Sequence, residues 1–353
     1  MAKSDIVSER GAMVLKDLIE CCNGKSNPIK FFSADEIFKA TKHFSSFSYF
    51  RNFGYEWYYG ENEKYPMILI KKESPRFLDV FFRDIAVSSM VSGHKNFLKF
   101  VGCCLELEYP IMVYHGGQKH YQLDIREQTW KRRMKIAEDI ATALAYLHTA
   151  FPRPFVYRTL SHKNILLDED GVAKLTDFSF CVSIPEGETF VKVDGAEGVH
   201  RYMESRYLKS GVVSEKTDVF AFGILMQHFL IRRETIWKIW VKAKEEANGG
   251  EGYDTDDSFQ FRLFKFVEER RIDEIADSVI LDKMDENSEE KLCQMKAFLM
   301  LSRRCMGQKG EVPTMVEVAK ELKKIQRSSS PSGETILDIP QDISSPLLLS
   351  NQT

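Results

Sequence analysis

The chain has little that would carry it into or across a membrane. Its longest apolar run, residues 219–231 (VFAFGILMQHFLI), falls short of the roughly 20 residues that span a bilayer and reads as a buried core helix. The start MAKSDIVSER has no apolar leader segment, and Ala2 stands where N-myristoylation requires glycine, so neither export nor that lipid is expected. A basic excess is also missing. Lys and Arg number 49 against 52 Asp and Glu, a formal net charge of -3, and with no base-reading motif nucleic acid is not expected as a partner. The seven cysteines include the adjacent pairs Cys21/Cys22 and Cys103/Cys104, a spacing that suits neither zinc nor a disulfide framework. Reduced, packed thiols of a cytosolic protein are expected, with acylation of Cys21 or Cys22 as the alternative. No metal site and no internal repeat is read.

What is present is a large foldable chain. Its 353 residues, 43% hydrophobic and 12% aromatic, can bury a core of two lobes. Residues 11–22 place Val14, Leu15, Leu18, Ile19 and Cys22 at helical spacing before the turn chemistry of NGKSNP. Ser33, three residues before Glu36, opens a second helix with a capping box. Strands are expected at YEWYYG, YPMILIKK, FLKFVGCC and IMVYH, with a helix over about 76–92 among them. From residue 118 the pattern turns helical. Trp130, Met134, Ala137, Ala141, Leu144 and His148 share one stripe, and further helices are expected over 217–231, 236–247, 260–269, 289–305 and 315–325. NILLD and VAKLTDF flank Asp170-Gly171, a hairpin signal. EEANGGEGYDTDD reads as an acidic, glycine-rich surface loop, and the Ser/Pro-rich stretch from Ser328 as a disordered tail.

Residues 157–179, YRTLSHKNILLDEDGVAKLTDFS, resemble the catalytic core of a protein kinase, HRDLKxxNILLD followed by DFG, and TDVFAFG resembles the SDVYSFG of that family. The resemblance covers about residues 31–327. It implies an α+β, bilobal protein-kinase-like fold with a small antiparallel β lobe carrying one main helix and a larger α-helical lobe. The implied division is a helical extension over 1–30, a small lobe over 31–115, a large lobe over 116–327 and the tail over 328–353.

Set against that family, the chemistry is largely gone. The three glycines that let backbone amides approach nucleotide phosphates fall on Phe50, Asn52 and Tyr55. Bulky side chains there should fill or prop open the space above the phosphates. Lys71 matches the strand lysine, either as a vestigial phosphate ligand or as an ordinary solvated lysine. Its usual helix glutamate aligns with Ile85, with Asp84 one step off the required face, so the ion pair is not expected. Thr159 replaces the aspartate base and Ser161 the catalytic lysine. A base is worth about 10² to 10⁴ in rate. Asn164 and Asp177 survive at the magnesium positions, either as polar caps of the hairpin or as vestigial ligands. Nucleotide and magnesium binding is expected to be weak and not required. Ser205, Arg206 and Val312 replace both ends of an ion pair that kinases bury. Removing both partners can be nearly neutral where removing one is not.

FSADEIFKATKHF, VGCCLE and LAYLHTAF are similar to plant receptor-like cytoplasmic kinases, more narrowly to the ZRK group of subfamily XII, the resistance-related pseudokinases. That resemblance implies an adaptor in plant defence and the hypersensitive response. It would be cytoplasmic, peripheral at the plasma membrane through its partners. One partner would be a coiled-coil, leucine-rich-repeat NLR immune receptor, the other a related cytoplasmic kinase modified by a pathogen effector. Ile29, Phe31 and Phe32 are a candidate docking patch, with packing on the small lobe as the alternative, and the activation segment over 181–207 is expected to be mobile until a partner orders it. A slow or unconventional kinase, or a nucleotide sensor, is the alternative function.

Overall fold

The computed structural model describes residues 3–327 apart from 23, 25–26, 45–49, 53–54, 64, 74–77, 118, 248–253, 278–279, 281–287 and 308–309. The tail from Ser328 and the centre of the acidic loop lie outside the described residues. The small lobe runs α1 (Lys3–Cys22), β1 (Lys30–Phe31), α2 (Ala34–Thr41), β2 (Phe50–Asn52), β3 (Tyr55–Asn62), β4 (Tyr65–Glu73), α3 (Leu78–Val91), β5 (Phe100–Cys104) and β6 (Ile111–His115). Its six strands form one sheet in the order β1-β5-β6-β4-β3-β2. β1 pairs in parallel with β5, Lys30 opposite Gly102, and the other pairs are antiparallel. Ser33 caps α2 as expected, its hydroxyl accepting from Glu36 N at 3.2 Å while the Glu36 carboxylate accepts from Ser33 N at 2.8 Å.

α1 is longer than its apolar spacing suggested and turns a different face inward. Val14, Leu18 and Cys21, at i, i+4 and i+7, are buried, and α1 packs along α3. Leu15 and Ile19 lie on the neighbouring stripe and stay 56% and 57% exposed. Two apolar stripes side by side compete for the core, and a helix can bury only the one that faces its neighbour. Arg83 of α3 locks the pair, donating to Asp17 at 3.0 Å and Glu20 at 2.8 Å. Cys21 is buried, and burial pushes its thiol up to about 11, so it is no accessible site for acylation. The side chain of Cys22 lies outside the described residues.

The large lobe follows with β7 (His120–Gln122), α4 (Trp130–Thr149), β8 (Phe155–Val156), β9 (Ile165–Asp168), β10 (Ala173–Leu175), β11 (Val182–Ser183), β12 (Val191–Lys192), α5 (Ser205–Ser210) and β13 (Val212–Val213). Among the described residues it is completed by α6 (Glu215–Leu230), α7 (Arg233–Ala247), α8 (Asp254–Glu268), α9 (Ile272–Ile275), α10 (Ser288–Cys305) and α11 (Met315–Arg327). This is the bilobal protein-kinase fold. α6, apolar all round, is the buried axis of the lobe, as its run predicted. β9 and β10 form the hairpin expected at Asp170-Gly171, where Gly171 takes a left-handed φ of 71°. Both ends of the expected acidic loop are helical instead, because α7 runs on to Ala247 and α8 starts at Asp254. Val312 is half-buried against the apolar core and Arg206 is exposed. One end of the lost ion pair has become core and the other faces solvent. Among the described residues no helix is long and apolar enough to cross a membrane.

Candidate functional site

The catalytic-loop segment hangs from the first turn of α6. Buried Asp218 accepts from Tyr157 N at 2.7 Å and Arg158 N at 2.9 Å, and meets His148 Nε2 at 2.9 Å. Tyr157, standing where kinases have histidine, donates its hydroxyl to Thr176 O, and burial raises its phenol well above the usual value. Thr159 is 5% exposed and its hydroxyl reaches the backbone carbonyl of Asp177 at 3.5 Å. Buried Ser161 Oγ has no hydrogen-bond partner among the described residues. Neither side chain can take a proton from an acceptor hydroxyl or steady a phosphoryl group at neutral pH.

Lys71, at the end of β4, is fully buried, so the reading of a solvated lysine is wrong. The expectation that it lacks a helix partner also fails. Lys71 Nζ meets Asp84 Oδ2 at 2.6 Å, Asp177 Oδ1 at 3.2 Å and Glu73 Oε2 at 3.5 Å. Counting back from His94 puts Ile85 at the glutamate position, but successive helical residues differ by about 100° in direction and only Asp84 faces the lysine. Ile85 packs into the small-lobe core. Ser88, one turn after Asp84, donates to Asp84 Oδ1 at 3.0 Å, and Phe178 N donates to the same oxygen at 3.1 Å. A shorter acid thus performs the pairing and also pins the backbone that follows Asp177. Burial by itself would lower the Lys71 amine, and the charges of Asp177, Asp84 and Glu73 outweigh it, holding the amine well above its ordinary value.

Tyr55 closes the remaining space. Its ring centroid lies 4.2 Å from Lys71 Nζ, and its hydroxyl donates to Asn164 Oδ1 at 3.0 Å. Asn164 Nδ2 in turn donates to Thr159 O at 3.0 Å, and Ser179 Oγ donates to Asp177 Oδ1 at 2.8 Å. The structure brings Lys71, Asn164 and Asp177 together, but they are occupied with one another and with Tyr55. Phe50 and Asn52 lie on β2. A magnesium–nucleotide does not fit this set. Asn164 Oδ1 and Asp177 Oδ1 already accept hydrogen bonds, the amine is paired with carboxylates, and an aromatic ring lies over it.

The retained Arg158 binds the activation segment from within. Arg158 donates to Phe180 O and Gly195 O, each at 3.0 Å, and to Tyr207 Oη at 2.6 Å. Glu197 N donates to the same Tyr207 oxygen at 2.8 Å, and β12 pairs with β13. Tyr207, fully buried and not singled out from the sequence, is the centre of this network. Of the expected docking patch, Phe31 is 58% exposed, Ile29 is half-buried against the small-lobe core, and Phe32 is 3% exposed. Phe32 therefore leaves the patch, since the parallel pairing of β1 with β5 directs alternate side chains to opposite faces of the sheet.

A kinase fold with its cleft filled from within and no base is a pseudokinase. Residues 58–247 match the protein tyrosine and serine/threonine kinase family. The probable inactive receptor-like protein kinase At1g65250 of Arabidopsis thaliana is 62% identical over 363 residues, 99% of this chain and 97% of the relative. Inactive serine/threonine-protein kinase ZRK12 of the same plant is 62% identical over 99% of this chain and 88% of its own. Non-functional pseudokinase ZRK15, also from that plant, is 51% identical over 93% and 94%. The chain belongs to the protein-kinase family and, within it, to the ZRK group of inactive kinases.

Proposed function

We propose that the chain is an adaptor of plant innate immunity. One surface would hold a coiled-coil, leucine-rich-repeat NLR receptor and another would recruit a receptor-like cytoplasmic kinase modified by a pathogen effector. The protein would work in the cytoplasm and reach the plasma membrane through these partners. The observation that supports this reading most is the closure of the cleft by Tyr55, Lys71, Asp84 and Asn164. With the interior occupied, what the molecule can offer is its outer surface. Leu15 and Ile19 of α1 and Phe31 of β1 supply exposed apolar area of the kind that marks interaction sites.

The test is affinity capture of the full-length chain from plant tissue, with the captured proteins identified by mass spectrometry. An NLR receptor and a cytoplasmic kinase should both be recovered. Robust transfer of labelled phosphate by the purified chain, lost in Asp177→Ala, would overturn the reading in favour of an unconventional kinase.

A further inference from the structure

α1 is tied to the small lobe near its start and to the large lobe at its end. With 20 residues it is about 30 Å long. Near its start, half-buried Arg10 donates to Leu105 O at 2.7 Å and to Glu108 O at 2.8 Å, in the connection between β5 and β6. At its end, the Arg153 guanidinium, from the loop between α4 and β8, donates to Glu20 O. The last carbonyls of a helix lack donors of their own, and that end of the helix favours a cation. α1 has no basic residue in its last turn, so the large lobe supplies one. The buried stripe is divided in the same way. Val14 and Leu18 belong to the small-lobe cluster, whereas Cys21 belongs to the large-lobe cluster that also holds Cys181.

Arg83 of α3 joins this helix to the activation segment. Besides Asp17 and Glu20 of α1, its guanidinium reaches Cys181 O at 3.4 Å. The neighbouring Asp84 accepts from Phe178 N at 3.1 Å, so two consecutive residues of α3 hold the start of the segment. Phe180 O, between these contacts, accepts from Arg158, which also holds Gly195 O. A second route runs through Arg153. The next residue, Pro154, accepts from Ile184 N at 2.9 Å, and β8 pairs with β11, Val156 opposite Val182. A guanidinium suits such a junction, because its donors lie in one rigid plane and serve several acceptors at once.

We propose that α1 is a strap that couples the outer face of the small lobe to the activation segment, with Arg83 as the clasp. Loosening the helix at Asp17 and Glu20 would release the segment over 178–184, and fixing the helix would steady it. Leu15 and Ile19 lie on the adjacent stripe of the same helix and are exposed, so a protein seated on them would act on the segment without touching it. Only this last step rests on the adaptor reading. The coupling itself belongs to the chain alone.

The test is hydrogen–deuterium exchange of the full-length protein, read by mass spectrometry over residues 17–22, 105–108 and 178–184. Asp17→Asn/Glu20→Gln keeps both side-chain shapes and leaves Arg83 in place. A lost charge-assisted hydrogen bond is worth about tenfold in a local opening equilibrium, so exchange should quicken by about tenfold over 17–22 and over 178–184 together. Arg153→Gln, made in the large lobe, should quicken exchange over 17–22. Arg10→Gln loosens the other end of the helix and should act on 105–108 while leaving 178–184 unchanged. Quickening confined to 17–22, quickening spread evenly over the whole chain with a fallen thermal midpoint, or an equal response of 178–184 to Arg10→Gln would overturn the strap. Any of these leaves the adaptor reading standing. Failure of the native chain to capture a receptor and a kinase removes that reading and leaves the strap.

Discussion

Tyr55 and Asn164, 109 positions apart, join the two lobes through one hydrogen bond of 3.0 Å. A glycine at residue 55 could not make this bond. By the family resemblance residue 55 takes the place of a phosphate-binding glycine, and here it supplies both this bond and the ring that lies over Lys71.

Tyr55→Phe should therefore lower stability by about 1 kcal/mol, the usual net worth of such a bond, shifting the thermal midpoint by a few degrees. The native chain should show no thermal shift with millimolar ATP and magnesium. Ligand at about 100 times its Kd would stabilise by about 2.7 kcal/mol. A clear shift in the native chain, measured by differential scanning fluorimetry, would mean that Tyr55 moves aside for nucleotide.

In an active kinase the strand lysine is tested by its effect on turnover, whereas here Lys71→Met should act on the fold. Removing the amine leaves Asp84, Asp177 and Glu73 around an apolar side chain, at a cost of about 3 to 5 kcal/mol. The folded amine is held above its ordinary value. Its contribution is thus complete below the unfolded pKa of about 10.4 and is lost as pH rises through the folded value. Denaturant melts across the alkaline range should show a shallower decline for Lys71→Met than for the native chain. Part of the decline should persist, because burial also raises the phenols of Tyr114 and Tyr157. An identical alkaline limb in both proteins would rule out the buried cluster as its source.

Much of this arrangement was legible beforehand, where function depends on what one residue can or cannot do. Thr159 is no base wherever it sits, and Asp170-Gly171 is a turn by local preference. Residues whose role depends on long-range geometry were not legible. Counting from His94 sets Asp84 aside, because a one-residue error in helical register turns a side chain by about 100°. Phe32 could not be separated from Phe31 until β1 was seen to pair with β5. The activation segment reads as polar and glycine-rich, and only the fold shows that Arg158 and Tyr207 hold it.

The two stripes of α1 allow burial and docking to be told apart. Leu15→Asp/Ile19→Asp alters exposed positions and should change stability by no more than about 0.5 kcal/mol, while reducing receptor capture. Leu18→Ala empties a buried site and should cost about 2 to 5 kcal/mol. Capture that tracks the thermal midpoint across these variants, instead of the exposed stripe, would show that α1 serves only the fold.

His228 gives the protein an acid-sensitive element. Burial first, then His162, Arg201 and Arg233, hold its imidazole down to about 3, against about 6.5 in an unfolded chain. Below that unfolded value the unfolded state takes up a proton that the folded state refuses, so stability falls from about pH 6.5 downward and levels off near the folded value. Asp124 and Lys163 act on the neighbouring His162, and Tyr202 packs on His228 with ring centroids 5.1 Å apart. At about pH 5 the penalty is on the order of 2 kcal/mol. His228→Phe keeps a ring against Tyr202 and removes the titration, so its midpoint should fall less than that of the native chain between about pH 7 and 5. Parallel pH profiles of the two proteins would show instead that the acid response arises elsewhere in the molecule.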